Sequence, residues 1–226
     1  MAITPSWSQT RRAVIRDALG IGVAAGAYGV SFGAISVSAG LSVLQTCALA
    51  ALMFTGASQI TFIGIIAAGG SAWTAASTAA LLGTRNALYG VRLSSLLEVT
   101  GARRFLAAHF VIDETTAMAI ARDTPAESRL AFWITSAILF SVWNVANLVG
   151  ALATEVLPDP KALGLDAAPP AAFLALIAPR LRAREPVAIA LAAGVVALAL
   201  VPFVPPGVPL LVVAVLVVAY GLRPAR

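Results

Sequence analysis

Charged residues are scarce in this 226-residue sequence: they make up 11% of it, whereas about 25% is usual in a soluble domain. Three long stretches hold almost none of them, namely residues 18–97, 130–154 and 186–222. The first stretch contains only Arg85 and Arg92, and the other two contain no charge. A water-soluble fold needs charge over its whole surface, so an ordinary soluble domain is excluded. Because a membrane helix needs about 20 apolar residues, the stretches have room for several.

Cysteine and histidine are also rare, with one residue of each, Cys47 and His109. A lone cysteine in an apolar run excludes a disulfide framework within the chain. A lone histidine, with no Walker A loop, indicates no metal cluster and no nucleotide site. We therefore expect no enzyme, no bound metal and no cofactor.

Apolar residues are abundant, at 60% of the sequence, and the mean hydropathy is +0.92. Their runs are continuous and rich in Ala, Leu, Val and Gly, which favours helices over strands with alternating polarity. The net charge of +5 comes from basic residues that flank these runs, a pattern typical of membrane orientation. We predict an all-α, polytopic membrane protein with six to eight membrane segments, in one domain over residues 1–226.

The first apolar segment carries four glycines on one helix face. They are spaced by four, three and four residues, at Gly22, Gly26, Gly29 and Gly33. Small residues at this spacing let a second backbone approach closely, so the pattern predicts a helix-packing face. The alternative is a glycine face that lines a cavity.

The second segment, residues 42–68, is too long for one plain span and is interrupted by polar and small residues after Phe54. The interruption predicts a broken or re-entrant helix, whose freed backbone amides suit a carboxylate. A substrate site is therefore predicted at Gly56, Ala57, Ser58 and Gln59. A tilted, continuous helix is the alternative.

The third segment, residues 73–91, contains an arginine at membrane depth, Arg85, followed by Asn86. Both residues are predicted to bind substrate. Arg85 lies some way from the middle of its segment, so its side chain has the alternative of reaching the membrane interface. If it is buried instead, it must balance a negative charge: a substrate carboxylate, Asp113 or Glu114.

The segment 105–121 holds three ionisable residues, so it must face protein or water, or lie outside the bilayer core. A carboxylate at membrane depth can take up and release a proton during alternating access. Asp113 and Glu114 are therefore predicted to couple transport to protons. Since neighbours on a helix point about 100 degrees apart, one should carry the proton and the other serve as a structural partner. Two solvated carboxylates are the alternative.

The number of spans depends on two segments. If residues 42–68 enter and leave on one side and residues 105–121 do not cross, six spans remain. The basic clusters and the N-terminus then lie in the cytoplasm and the acidic loop 155–166 outside, as the positive-inside rule favours. If both segments cross there are eight spans, and if one crosses there are seven.

The sequence contains a weak internal repeat. Gly33-Ala34 and Gly40-Leu41 recur as Gly150-Ala151 and Gly164-Leu165, each before a short apolar segment, the second of them residues 167–179. Duplicated halves, here 17–122 and 127–223, are typical of transporters. In a chain so rich in alanine such matches also arise by chance, and both interpretations stay open.

Several motifs together resemble one family. In order and spacing they are similar to motifs of the AzlC family of branched-chain amino acid exporters: Gly56-Ala57-Ser58-Gln59, Thr84-Arg85-Asn86-Ala87-Leu88-Tyr89-Gly90, Ile112-Asp113-Glu114-Thr115, Trp143, Gly150-Ala151 and Leu163-Gly164-Leu165. The resemblance covers nearly the whole chain. It departs from the family at Thr84, where Asp or Asn precedes the arginine, and at Asn86, where His is common.

The resemblance implies a permease of the bacterial inner membrane. Such a protein works with a small AzlD-type membrane subunit to export valine, leucine, isoleucine and sometimes methionine. Since the sequence has no nucleotide site, we expect secondary transport, driven by the proton gradient. The competing hypotheses are an intramembrane enzyme and a non-transporting structural or assembly subunit of a membrane complex.

Overall fold

The computed structural model describes residues 6–156, 174, 178, 181–221 and 223. Throughout these ranges the regular structure is α-helical, which confirms the all-α prediction. The helices are α1 (Trp7–Ser38), α2 (Val43–Leu52), α3 (Gly56–Ala67), α4 (Ala72–Gly83), α5 (Arg85–Leu97), α6 (Arg103–His109), α7 (Asp113–Ile120), α8 (Pro125–Val156), α9 (Arg184–Leu200) and α10 (Val208–Gly221). The predicted segment 167–179 and most of the acidic loop, with Gly164-Leu165, lie outside the described residues.

Two helices, α1 and α8, are each long and apolar enough to cross a membrane, by length and composition. Shorter apolar helices, α2, α3 and α10, accompany them. This set of helices is consistent with a helical membrane protein.

Helices α1 and α8 run parallel along their length. Thr10 donates to Glu127 at 3.3 Å near the start of both helices, and further along Gly22 faces Ile138. Residue numbers rise together in the two helices, which fixes their relative direction. We call the end where α1 begins the near end, and the end where α1 finishes at Ser38 the far end.

The glycine face of α1 lies against α8. A Cβ atom on Gly26 would come within 2.9 Å of Val142, and one on Gly29 within 3.1 Å of Ala146. At Gly33 it would lie 2.1 Å from the carbonyl oxygen of Asn147. Side chains of any size would hold the two backbones apart, so the glycines permit the close contact.

Helices α2 and α3 form a V that starts and returns at the far end. In a continuous helix residues 49 and 59 would be about 15 Å apart, yet the Gln59 amide donates to the carbonyl of Leu49 at 3.2 Å. The arms of the V enclose a groove that Leu41 lines at the start of α2 and Ile66 at the end of α3. The continuous-helix alternative is wrong. The break falls at residues 53–55, and the predicted Gly56–Gln59 form the first turn of α3.

Helices α4 and α5 together run from the far end to the near end. Helix α4 packs antiparallel to α3, and the Ser58 hydroxyl donates to the Ala79 carbonyl at 2.9 Å. Thr84 separates α4 from α5, so the third apolar segment consists of two helices. At the end of α5, Glu98 forms an ion pair with Arg129 near the start of α8.

Helices α6 and α7 form a second V, which enters from the near end. Helix α7 returns there, because Arg122 just after it pairs with Asp17 of α1 at 3.3 Å. The turn between the arms is held by Thr115, whose hydroxyl donates to the Phe110 carbonyl at 2.6 Å and accepts from the Ile112 amide at 3.1 Å. The segment 105–121 therefore does not cross the bundle.

Helix α10 lies beside α3 and α4. The turn before it contacts the far end through Gly207, whose φ of +94° favours glycine. A Cβ atom there would come within 2.7 Å of Ile65 and 2.9 Å of Thr74. From this anchor α10 runs to the level of Arg85, where Val218 lines a groove with it.

Candidate functional site between two broken helices

The two breaks meet in the middle of the bundle. Phe54, in the first break, lies 5.9 Å from Phe110 in the second, measured between ring centroids. Both rings contact Phe140, midway along α8, at 5.1 Å and 5.5 Å. His109 stacks on Phe54 at 6.1 Å, so it packs in this aromatic cluster. Two V-shaped hairpins thus enter from opposite ends and meet at half depth.

The start of α3 presents unpaired backbone amides at this depth. Within the described part of the chain, the amides of Gly56, Ala57 and Ser58 have no acceptor. Thr55 provides no side-chain cap, and its buried hydroxyl oxygen has no partner in the described ranges. Unpaired amides and the helix dipole favour a bound anion.

The side chains of Ser58 and Gln59 hold the V together. Both residues are buried, at 1% and 0% exposure. Ser58 donates to α4, and the Gln59 amide donates to the last carbonyls of α2, the shortest of these bonds being 2.7 Å to Met53. In this structure the donors of both side chains are used within the protein, whereas the side-chain oxygen of Gln59 has no partner among the described residues. That Ser58 and Gln59 contact substrate stays a prediction.

Arg85 and Asp113 form an ion pair at the same depth. The guanidinium and the carboxylate are 2.9 Å apart, with 31% and 27% of the side chains exposed. Arg85 is the first residue of α5 and Asp113 the first of α7, so two helix starts converge here. The pairing with Asp113 is what the prediction of a balanced arginine requires, and the role of Arg85 in binding substrate stays a prediction.

Within the described residues, several buried polar atoms at or next to the ion pair have no hydrogen-bond partner: Nε of Arg85, the second carboxylate oxygen of Asp113 and the side-chain oxygen of Asn86. The indole nitrogen of Trp143, a residue that lies near Gly56, has none there either. Buried polar atoms are normally paired with protein or ordered water. Such a group of unpaired atoms is what a site for a polar ligand or water provides.

Glu114 follows Asp113 in the first turn of α7 and is half-buried. It lies within electrostatic range of Arg85 and of Tyr28. Tyr28 in turn approaches the start of α3, since a Cβ atom on Gly56 would lie 3.8 Å from its hydroxyl. Both carboxylates thus lie near Tyr28 and Arg85, and among the described residues Asp113 is the one that forms an ion pair with Arg85.

The sequence did not single out two residues that build this centre, Tyr28 and Phe140, and it indicated Thr115 only as part of the motif Ile112-Asp113-Glu114-Thr115. The role of Thr115 could have been predicted, because a threonine in the first turn of a helix can form a hydrogen bond back to the backbone. Nothing in the sequence marked Tyr28 and Phe140 except that they are aromatic residues in apolar segments. The predicted Gly22, Gly26, Gly29 and Gly33 lie at the α1–α8 contact, where Gly29 also faces Trp143.

One family model, described as AzlC protein, matches residues 20–157. That range includes most of α1, both broken helices, the Arg85–Asp113 pair and α8, and it ends before α9 and α10. The resemblance inferred from the motifs is confirmed. No curated protein and no solved structure matches the chain.

Proposed function

Since the chain belongs to the AzlC family, a family associated with transport across membranes, we propose that it is a secondary-active exporter of branched-chain amino acids. Its substrates would be valine, leucine and isoleucine, with methionine as a further one. The observation that supports this best is the meeting of two broken helices at half depth. Breaks of this kind bring backbone amides and charged side chains to a substrate in the middle of a membrane.

We place the substrate between the start of α3 and the ion pair. The amides of Gly56 and Ala57 and the guanidinium of Arg85 would hold the carboxylate, and Asn86 would bond a polar group. Ser58 and Gln59 would keep the start of α3 in position. The aromatic cluster around Phe54 and Phe140 would separate this site from the two ends.

The charge distribution supports a cytoplasmic near end. Among the described residues, the far-end turns at 39–42, 68–71 and 201–207 carry no charge. The near end instead carries arginines before or at the start of α1, α6 and α9. By the positive-inside rule we propose that the N-terminus lies in the cytoplasm of a bacterial inner membrane. Six spans are proposed if the segment 167–179, which lies outside the described residues, also crosses. The AzlD-type subunit is included in the proposal on the strength of the family alone.

Counterflow of labelled valine in proteoliposomes tests the proposed function. Vesicles loaded with unlabelled valine should accumulate the label transiently when they contain the purified protein together with its co-purified small subunit. Leucine and isoleucine should support the same exchange, and lysine should not. If labelled valine never accumulates, while the protein remains folded and monodisperse, it is an assembly subunit rather than a transporter.

Substitutions of the two carboxylates are expected to change the response of valine export to a pH gradient in different ways. Because Asp113 is held by Arg85, we propose that Glu114 carries the proton. Glu114→Gln should therefore lose the severalfold acceleration of valine export by an imposed gradient but keep counterflow. Asp113→Asn should slow export with and without the gradient, because it frees Arg85, and should still respond to it. If both variants respond as the parent does, the proton passes elsewhere.

A further inference from the structure

A groove of about 680 Å³ opens beside Arg85, between α10 and the segment formed by α3, α4 and α5. Its walls are largely aliphatic and include Leu81, Leu88, Leu210, Ala214, Val215 and Val218. Its volume lies within the range of roughly 300 to 1,000 Å³ that is typical of small-ligand pockets. Arg85 is the one charged residue among those that line it.

Arg85 is placed to hold a carboxylate at one side of this groove. A guanidinium carries five N–H donors, and Asp113 is the one carboxylate that pairs with it among the described residues. The remaining donors and the partial exposure of the side chain leave room for a second carboxylate. A single cation beside aliphatic walls is complementary to a molecule with one carboxylate and an apolar tail.

Two other grooves lack this complementarity. The groove between α9 and α10 is lined by Glu185, which repels a carboxylate. The groove inside the V of α2 and α3 is lined by Leu41, Phe62 and other residues without charge. The groove beside Arg85 therefore fits the substrate of the proposed exporter best.

We propose that this groove is the side-chain subsite of the exporter, so that α10 limits the size of the aliphatic side chain accepted. The substrate carboxylate lies at Arg85 and the side chain extends along Leu210 and Ala214. This inference rests on the proposed function. It adds that selectivity is set by a helix beyond the residues that match the family, 20–157.

The test is a competition series in valine counterflow, with alanine, valine, leucine and phenylalanine as competitors. Ala214→Leu narrows the groove, and it should weaken competition by leucine at least fivefold while leaving alanine nearly unchanged. Leu210→Ala widens the groove and should let phenylalanine compete. The matched control, Ala193→Leu, makes the same change in the groove between α9 and α10 and should leave the order of competitors unchanged.

If α10 had only a structural role, its substitutions would weaken competition by all the amino acids alike. A change that depends on the size of the competitor therefore supports the subsite. The same ranking should appear in the amino-acid-induced rise of the Tm of the purified variants. If Ala214→Leu fails to fold, Leu210→Ala decides the question. If the order of the competitors is unchanged in both variants, the proposal is overturned, and the groove is a surface that contacts lipid. A parent protein without counterflow would instead overturn the proposed function.

Discussion

Replacing Arg85 with alanine is expected to abolish valine counterflow. The change removes the donors for the substrate carboxylate and leaves Asp113 without the cation that lies 2.9 Å from it. A hydrogen bond to a charged group contributes about 2 kcal/mol, which corresponds to about a thirtyfold loss of affinity. The unpaired Asp113 adds a cost to folding as well, because a partly buried charge that loses its partner is destabilising.

Two further variants separate transport from stability. Arg85→Lys keeps the charge but loses the planar fork, so it should recover folding and only a small part of the counterflow rate. The double variant Arg85→Gln with Asp113→Asn removes both charges, and it should fold at the parent yield without transporting. Initial rates are measured per amount of monodisperse protein. Near-parental counterflow by Arg85→Ala would remove Arg85 from the site.

Gly150→Ala is expected to prevent α1 and α8 from packing. A Cβ atom on Gly150 would lie 1.9 Å from the carbonyl oxygen of Val30, a backbone atom that cannot move aside alone. The helices would have to separate along their whole contact, at a cost of about 3 kcal/mol or more. The expected result is a large drop in Tm and in the yield of monodisperse protein.

Gly20→Ala is the matched control for this change. Gly20 also lies in a long helix, α1, but apart from the neighbouring backbone of α1 no atom of the described residues lies within 4 Å of the position of its Cβ. Alanine should be neutral or slightly stabilising there, by up to about 1 kcal/mol, because it favours helix over glycine. Equal Tm values for the two variants would mean that α1 and α8 are not in contact at Gly150.

The parts of the fold that depend on local pattern were predictable from the sequence. Stretches with few or no charges indicated where α1, α8, α9 and α10 lie, although α1 begins at Trp7, well before the stretch that starts at residue 18. The glycine spacing indicated the face of α1 that lies on α8. The interruption around Gly56 indicated a break in the second segment. Each of these signals lies in residues close together in the chain, where helix periodicity and backbone preferences act.

The second break and the pairing of Arg85 were not predictable in the same way. The turn at residues 110–112 contains neither glycine nor proline, and it depends on a hydrogen bond from Thr115. Thr84, between α4 and α5, has helical backbone angles, so the local sequence gives little indication that two helices meet there. The sequence offered three partners for Arg85, and the choice of Asp113 follows from the way the second V enters the bundle.

Protection of a single cysteine at the start of α3 tests the central claim most directly. Cys47→Ala removes the native cysteine, and Gly56→Cys places a thiol where a Cβ atom makes ordinary contacts with Tyr28 and Trp143. Saturating valine, leucine or isoleucine should slow modification by a small membrane-impermeant thiol reagent at least fivefold. Lysine should not slow it, and the exposed control Ser38→Cys should react equally fast throughout. The contradicting result is a modification rate of Gly56→Cys that is the same with and without valine, in protein that still performs counterflow. That result would rule out a substrate site between the two broken helices.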